Sequence, residues 1–327
     1  MAKVRDAYID SIKSVLIFLV VLGHCVVRLG EHTWLVDATF NVIYLIHMPL
    51  FIFISGLLFN TQKNRIEIFQ GCGELLATFF LFQFLWSILD TPQGWRTWIS
   101  PAITLWYLIS LVYWRIMLWI FRKVTRNKCL WLVIAMFMGV FVGYIPLNSE
   151  LSFQRTFAFF PFFVAGNMLR GYDVRARMKV NKILLGIMLL LLILILAYPE
   201  SQIKWLLCAK QNYYRWPVTL TEAPIYRIGW YMIVSFGAVV FLNLIPSKHW
   251  MSSFGGKTLT VYLLHFFPIW VLQKYVGFKT GNMIVLLSLA CIIFAVTLYL
   301  HKFRVVRWLV KPLSLRTRST INNSVSE

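Results

Sequence analysis

The chain predicts an all-α integral membrane protein with about ten transmembrane helices and both termini on the cytoplasmic side. Three observations predict it. Of the 327 residues 59% are hydrophobic and only 13% charged, and the mean hydropathy is +0.71. Apolar runs of about 17–25 residues, the length a bilayer core requires, recur along the whole chain. Between them, lysines and arginines gather on alternate connections, which is the distribution of the positive-inside rule. Residues 1–313 therefore read as one polytopic membrane domain, and 314–327 as a polar cytoplasmic tail expected to be disordered.

The first span, 12–29, follows a charged foot (Lys3, Arg5, Asp6), and no small-residue cleavage site follows it, so it reads as a retained span rather than a signal peptide. The second, 40–59, holds Pro49 and ends near Ser55-Gly56, small residues that let helices approach closely. A basic loop, 60–71, with Lys63 and Arg65, leads to the third span, 72–90, with Glu74 near its inner end and Asp90 at its outer end. The fourth, 102–121, carries Arg115 within two turns of its inner end, where a long side chain can snorkel. The basic loop 122–128 (Arg122, Lys123, Arg126, Lys128) precedes the fifth span, 129–145. Arg155 opens the sixth, 154–170, which Pro161 interrupts, and the basic loop 171–181 leads to the seventh, 182–198.

A long outer segment, 199–227, carries Trp205, Tyr213, Tyr214 and Trp216, aromatics that either anchor the segment at the interface or stack on a sugar ring. The last three spans are 228–246, 258–276 and 281–301. The loop 247–257 between the first two of these is basic, as is the tail, whereas loops 30–39, 91–101 and 146–153 are nearly neutral.

The net charge of +20 is thus spread over loops rather than gathered in one patch. It suits anionic lipids or a phosphorylated substrate, and not nucleic acid. The five cysteines (Cys25, Cys72, Cys129, Cys208, Cys291) have no CxxC spacing, so neither a metal site nor a disulfide framework is expected. The absence of GxxxxGK[ST], HExxH and GxSxG patterns speaks against ATP-driven transport and metalloprotease chemistry.

The most informative side chain is His24, set inside the first span. Histidine exchanges protons near neutral pH, and an ionisable group within a membrane helix reads as functional by default. Lys13 lies eleven positions earlier, which puts it within about 20° of His24 around the helix axis and about 16 Å away along it. Asp10 and Arg28 fall within about 40° on the same face. Such a stripe suits an elongated ligand crossing the protein; the alternative is that Asp10, Lys13 and Arg28 only snorkel at the two interfaces. His47, read as roughly one turn past the outer start of the second helix, is placed to meet His24 at similar depth or to serve as an interfacial group. Arg155 either anchors at the interface or presents its paired donors to a carbonyl or phosphate.

Asp10-Ser11-Ile12-Lys13 followed by Leu19-Val20-Val21-Leu22-Gly23-His24 resembles the opening of the acyltransferase-3 membrane family, most closely its branch of fucose 4-O-acetylase and related acetyltransferases. That family shows a basic residue, ten positions, then histidine. Its common form has arginine where this chain has Lys13, which keeps the charge without the fork geometry. His47-Met48-Pro49-Leu50-Phe51-Ile52-Phe53-Ile54-Ser55-Gly56, Leu105-Trp106-Tyr107-Leu108, Arg155 leading into Phe159-Phe160-Pro161-Phe162-Phe163, and Tyr262-Leu263-Leu264-His265 also resemble family segments, in the expected order.

The resemblance implies acyl transfer in a bacterial cytoplasmic membrane, from acetyl-CoA as co-substrate to a hydroxyl of a cell-surface carbohydrate or its lipid-linked precursor. It implies His24 as the general base, with Lys13, Asp10, His47, Arg155, Trp106 and Tyr107 binding donor or acceptor. Asp10, about 20 Å from His24 along the axis, is too far to orient it. A covalent acetyl-histidine intermediate is the alternative to direct transfer. The rival functions are a transporter or flippase for a glycan or lipid-linked precursor, which a polar stripe serves equally well, and a non-catalytic partner of a polysaccharide assembly complex.

Overall fold

The computed structural model describes residues 6–89, 100–102, 104–147, 150–196, 200–246 and 249–313. Lys3, Arg5, Asp90, most of the loop 91–101, Lys248 and the 314–327 tail lie outside the described residues. All regular structure among the described residues is helical, apart from one isolated bridge between Gly30 and Thr280. The helices are α1 (Ala7–Leu29), α2 (Trp34–Leu58), α3 (Arg65–Leu89), α4 (Trp106–Val124), α5 (Lys128–Phe141), α6 (Phe153–Met168), the short α7 (Val174–Met178), α8 (Lys182–Leu196) and α9 (Glu200–Cys208). They continue as α10 (Ala223–Leu244), the single turn α11 (His249–Ser252), α12 (Thr258–Leu264), α13 (Phe266–Val271), α14 (Met283–Leu300) and α15 (Arg304–Val310).

Each of the ten apolar stretches coincides with helix. Five helices, α1, α2, α3, α10 and α14, are long and apolar enough to cross a membrane by length and composition. Their environments differ. In α1 61% of the apolar window is buried by protein and in α2 67%, against 22% in α14. A helix that is apolar all round and not covered by protein must meet lipid, so α14 is peripheral and α1 and α2 are central.

Four segments depart from the sequence reading. Helices α2 and α3 begin at Trp34 and Arg65, several residues before the expected spans. The ninth stretch is not one helix: it loosens at His265 between α12 and α13 and ends in a wide π turn, Leu272–Val276. Pro268 lacks the N–H that would bond the Leu264 carbonyl, which accounts for a break at this point. The segment 199–227 is not a plain loop but carries α9 and a 3-10 turn, Tyr213–Arg215.

The closest helix crossing is that of α2 on α6. A Cβ on Gly56 would run into the Phe163 carbonyl, and a Cβ on Gly166 into the Phe53 carbonyl, so two glycines face each other's backbones. Asn167 closes the contact by donating to the Gly56 and Phe59 carbonyls at 3.0 and 2.7 Å, which satisfies the open end of α2. Helix α4 is tied to α6 by Ser110 on Thr156 (2.8 Å) and by Trp114 Nε1 donating to the Thr156 carbonyl (2.6 Å). These buried contacts fix the register of α2, α4 and α6, three of the helices that carry the candidate site.

Candidate active site

Where α1, α2, α4, α6 and α12 converge, a small cavity of about 60 Å³ is lined by His24, His47, Trp106, Arg155, Thr104 and Tyr262. It has room for a few water molecules. His47 lies well inside α2, not one turn from its start, because α2 begins at Trp34. His24 and His47 therefore do meet at one cavity, deep in the bundle.

The imidazoles are held differently. His47 Nδ1 donates to the Ile43 carbonyl (2.5 Å), and His265 Nδ1 to the Val261 carbonyl (2.8 Å). A carbonyl only accepts, so in each ring Nδ1 carries the proton and Nε2 keeps its lone pair, a tautomer assigned from the bonding pattern. His265 Nε2 is buried and has no hydrogen-bond partner among the described residues. The His265 ring lies 5.2 Å from His24, tilted by 40°, and Phe266 meets His24 edge-on at 5.4 Å. His24 is thus held by ring packing.

Arg155 enters from the first turn of α6. Its guanidinium lies 4.7 Å from the Trp106 ring and its Nε donates to the Cys208 carbonyl at 3.4 Å. The chain reaches it through two left-handed residues, Leu151 (φ 46°) and Ser152 (φ 59°), and a third, Ala209 (φ 47°), follows Cys208. Each costs on the order of 1 kcal/mol for a residue with a Cβ. Gln154 holds the turn by donating to the Val142, Ile145 and Leu147 carbonyls at 3.0, 2.8 and 2.8 Å.

Two larger cavities flank this chamber. Toward the N-terminal end of α1, one of about 300 Å³ is lined by Lys13, Tyr107, Arg115, Lys311 and Ser55, and it shares Tyr262 with the chamber. Tyr262 is the wall between them: its hydroxyl donates to the Thr104 carbonyl and its ring sits 5.5 Å from Tyr107. Tyr107 in turn shares a 2.6 Å hydrogen bond with Ser55. Arg115 donates to the Gly71 carbonyl (3.2 Å), while its buried Nε has no partner among the described residues. At the opposite end, a cavity of about 360 Å³ shares His24, Trp106 and Arg155 with the chamber and reaches Arg28, Lys204 and Lys210.

The sequence-derived residues are therefore divided. His24, His47, Arg155 and Trp106 share the chamber, whereas Lys13 and Tyr107 line the cavity beyond Tyr262. Asp10 faces Lys13, pairing with its Nζ at 2.8 Å, and not His24. His265 is legible in the sequence as an ionisable group of the ninth span and again in the family resemblance, but Tyr262 is not singled out there, although their i, i+3 spacing puts them on one helix face. Lys204, Cys208 and Lys210 carried no sequence signal, since they arrive with a segment read as a loop. Three of the four aromatics of that segment are occupied by packing, whereas Tyr214 is exposed. Trp205, Tyr213 and Trp216 pack on one another at 4.6–4.8 Å. The fully buried Arg227 guanidinium lies 5.8, 4.7 and 5.4 Å from the rings of Tyr213, Trp216 and Trp230. Among the described residues no group of three or more His, Cys, Asp or Glu is placed to hold a metal ion.

A helical, membrane-associated bundle with a buried histidine chamber between two polar cavities is an arrangement suited to group transfer. The chain belongs to the acyltransferase-3 family, since the family model described as an acyltransferase domain matches residues 6–302. Among curated proteins it is similar to the nodulation protein NolL of Sinorhizobium fredii, 35% identical over 94 residues (27% of this chain, 25% of that protein). It is also similar to NolL of Mesorhizobium japonicum, 36% identical over 88 residues (26% and 24%). The chain spans about a quarter of the length of these relatives. No solved structure matches it.

Proposed function

We propose that this acyltransferase moves acetyl from acetyl-CoA to a hydroxyl of a cell-surface carbohydrate or its lipid-linked precursor. In this reading the chain has ten spans in a bacterial cytoplasmic membrane, with both termini cytoplasmic. The alternating basic loops support that orientation, and anionic lipids then cover the basic face. The observation that carries the proposal is the position of His24, in a small chamber between two larger polar cavities.

Acetyl-CoA enters from the cavity at the N-terminal end of α1, where Lys13, Arg115 and Lys311 offer charge to its phosphates. Its pantetheine passes Tyr107 and a displaced Tyr262, covering the roughly 16 Å of helix rise from Lys13 to His24. The acceptor hydroxyl approaches from the opposite cavity. A sugar hydroxyl is a poor nucleophile at neutral pH and needs a base. His24 takes its proton as the oxygen attacks the thioester carbonyl; the C–S bond then breaks, and the CoA thiolate leaves and takes up the proton. Arg155, held by Trp106 and the Cys208 carbonyl, faces the position of the developing oxyanion, where a fixed donor lowers the barrier. His265, whose ring lies 5.2 Å from that of His24, acts through His24 as a positioning residue. Asp10 acts on Lys13 and not on the chemistry. A transporter gains less support, since a chamber that holds a few waters is far too small for a sugar ring.

The test is mass spectrometry of the surface glycan from cells carrying the wild type, His24→Ala, or no protein, at equal expression. Loss of one acetyl mass in both altered strains is the expected result. An unchanged glycan mass with less glycan at the surface would replace the proposal with transport.

A further inference from the structure

The cavity at the end opposite the α1 N-terminus has a one-sided charge that acetyl transfer alone does not explain. Arg28, Arg155, Lys204 and Lys210 all line it, and no carboxylate does among the described residues. The cations come from separate elements: Arg28 from α1, Arg155 from α6, Lys204 from α9 and Lys210 from the turn behind it. Three of them lie on aromatic faces. Arg28 is 5.4 Å from Phe266, Arg155 4.7 Å from Trp106, and Lys204 5.3 Å from Phe40. Aromatic faces hold a cation without neutralising it. Partial burial pulls the Lys210 ammonium below its ordinary value, and the nearby charge of Arg155 pulls it further, as does that of Arg28. Like charges gathered at one cavity repel, and an entering anion relieves that repulsion.

We infer that this cavity binds the anionic group of the acceptor, a phosphate or carboxylate carried on or next to the sugar, and that this contact sets the neighbouring hydroxyl against His24. The inference rests on the acyl-transfer reading, with the donor entering from the other end. Arg155 is the hinge of the argument, because it lines both this cavity and the histidine chamber. Its planar fork, and that of Arg28, suit bidentate recognition of phosphate or carboxylate, while Lys204 and Lys210 at the mouth supply point charges that draw the anion in.

The experiment uses the full-length protein in nanodiscs and the variant Lys204→Gln/Lys210→Gln. Both lysines are exposed, so the fold tolerates the change. Binding of inorganic pyrophosphate and of glucuronate, with glucose as the neutral control, is measured by equilibrium dialysis. At least tenfold weaker anion binding in this variant, with acetyl-CoA binding unchanged, is the expected result. Anion binding that is the same in wild type and variant, or a variant that instead loses acetyl-CoA, overturns the inference.

A second arm measures transfer from labelled acetyl-CoA to acceptor isolated from producing cells. The acceptor is left untreated, amidated at its carboxylates, or freed of phosphate. A tenfold loss in one treated arm supports the inference and identifies the anion's source. Full activity in both rejects it. Absence of transfer by the wild type, with anion binding at the lysines intact, would reject the acyl-transfer reading and leave the anion site standing.

Discussion

A ring held only by packing has one freedom that a hydrogen-bonded ring lacks: it can turn to follow a moving proton. His24 is in that position, while His47 and His265 are pinned to carbonyls of their own helices. The orphaned Nε2 of His265 behind it is a buried polar atom whose cost is recovered only if it acquires a partner during the reaction. His265→Phe preserves the packing and removes that lone pair. It should lower kcat by up to about a hundredfold, as a misplaced base does. The acetyl-CoA KM should stay the same and the pH–rate profile should move, whereas His265→Gln, which keeps a polar atom, should restore part of the rate. A variant that loses folded protein without moving the pH profile would assign His265 to packing alone. The sequence made His24 conspicuous because a histidine in an apolar run has no other explanation. His265 stands equally in an apolar run, but its neighbour becomes visible only when α12 is laid against α1.

At the scale of elements, the contact of α2 with α6 sets how near His47 comes to Arg155. It depends on backbones that approach until a single carbon would not fit between Gly166 and Phe53. Gly166→Leu should force these helices apart and destabilise the bundle by about 1–3 kcal/mol or more, the range of an overpacked core. The measurement is the midpoint of thermal unfolding followed by size-exclusion chromatography. An unchanged midpoint would mean that the crossing is not a tight one. Ser55-Gly56 announced close packing in the sequence, but its partner in α6 was not legible, because helix pairing is a property of three dimensions. The same limit applied to 199–227. Polar and aromatic residues there spelled a loop, while burial of Arg227 among Tyr213, Trp216 and Trp230 orders the segment and brings Lys210 to the site.

Over the whole molecule, hydropathy made the all-helical architecture readable, with five helices long and apolar enough to cross a membrane, since lipid permits few backbone arrangements. Orientation is tested with the chain's own thiols. Cys129, exposed at the start of α5, stands at the end where α1 begins. With cytoplasmic termini it should resist a membrane-impermeant maleimide in intact cells and react once they are permeabilised; labelling of intact cells would invert the topology.

Tyr262 bears on the host as well as on the reaction. In the proposed membrane location, hollows opening toward both faces would be a potential short circuit for an ion gradient. The Tyr262 side chain, bonded to the Thr104 carbonyl and 5.5 Å from the Tyr107 ring, stands between the two cavities it lines. In the proposed reaction, opening it only when a pantetheine chain fills the gap would let an acyl group cross while ions stay behind. Tyr262→Ala should therefore make sealed vesicles lose an imposed pH difference faster than wild-type ones, even with no substrate present. An equal decay would place the seal elsewhere in the bundle.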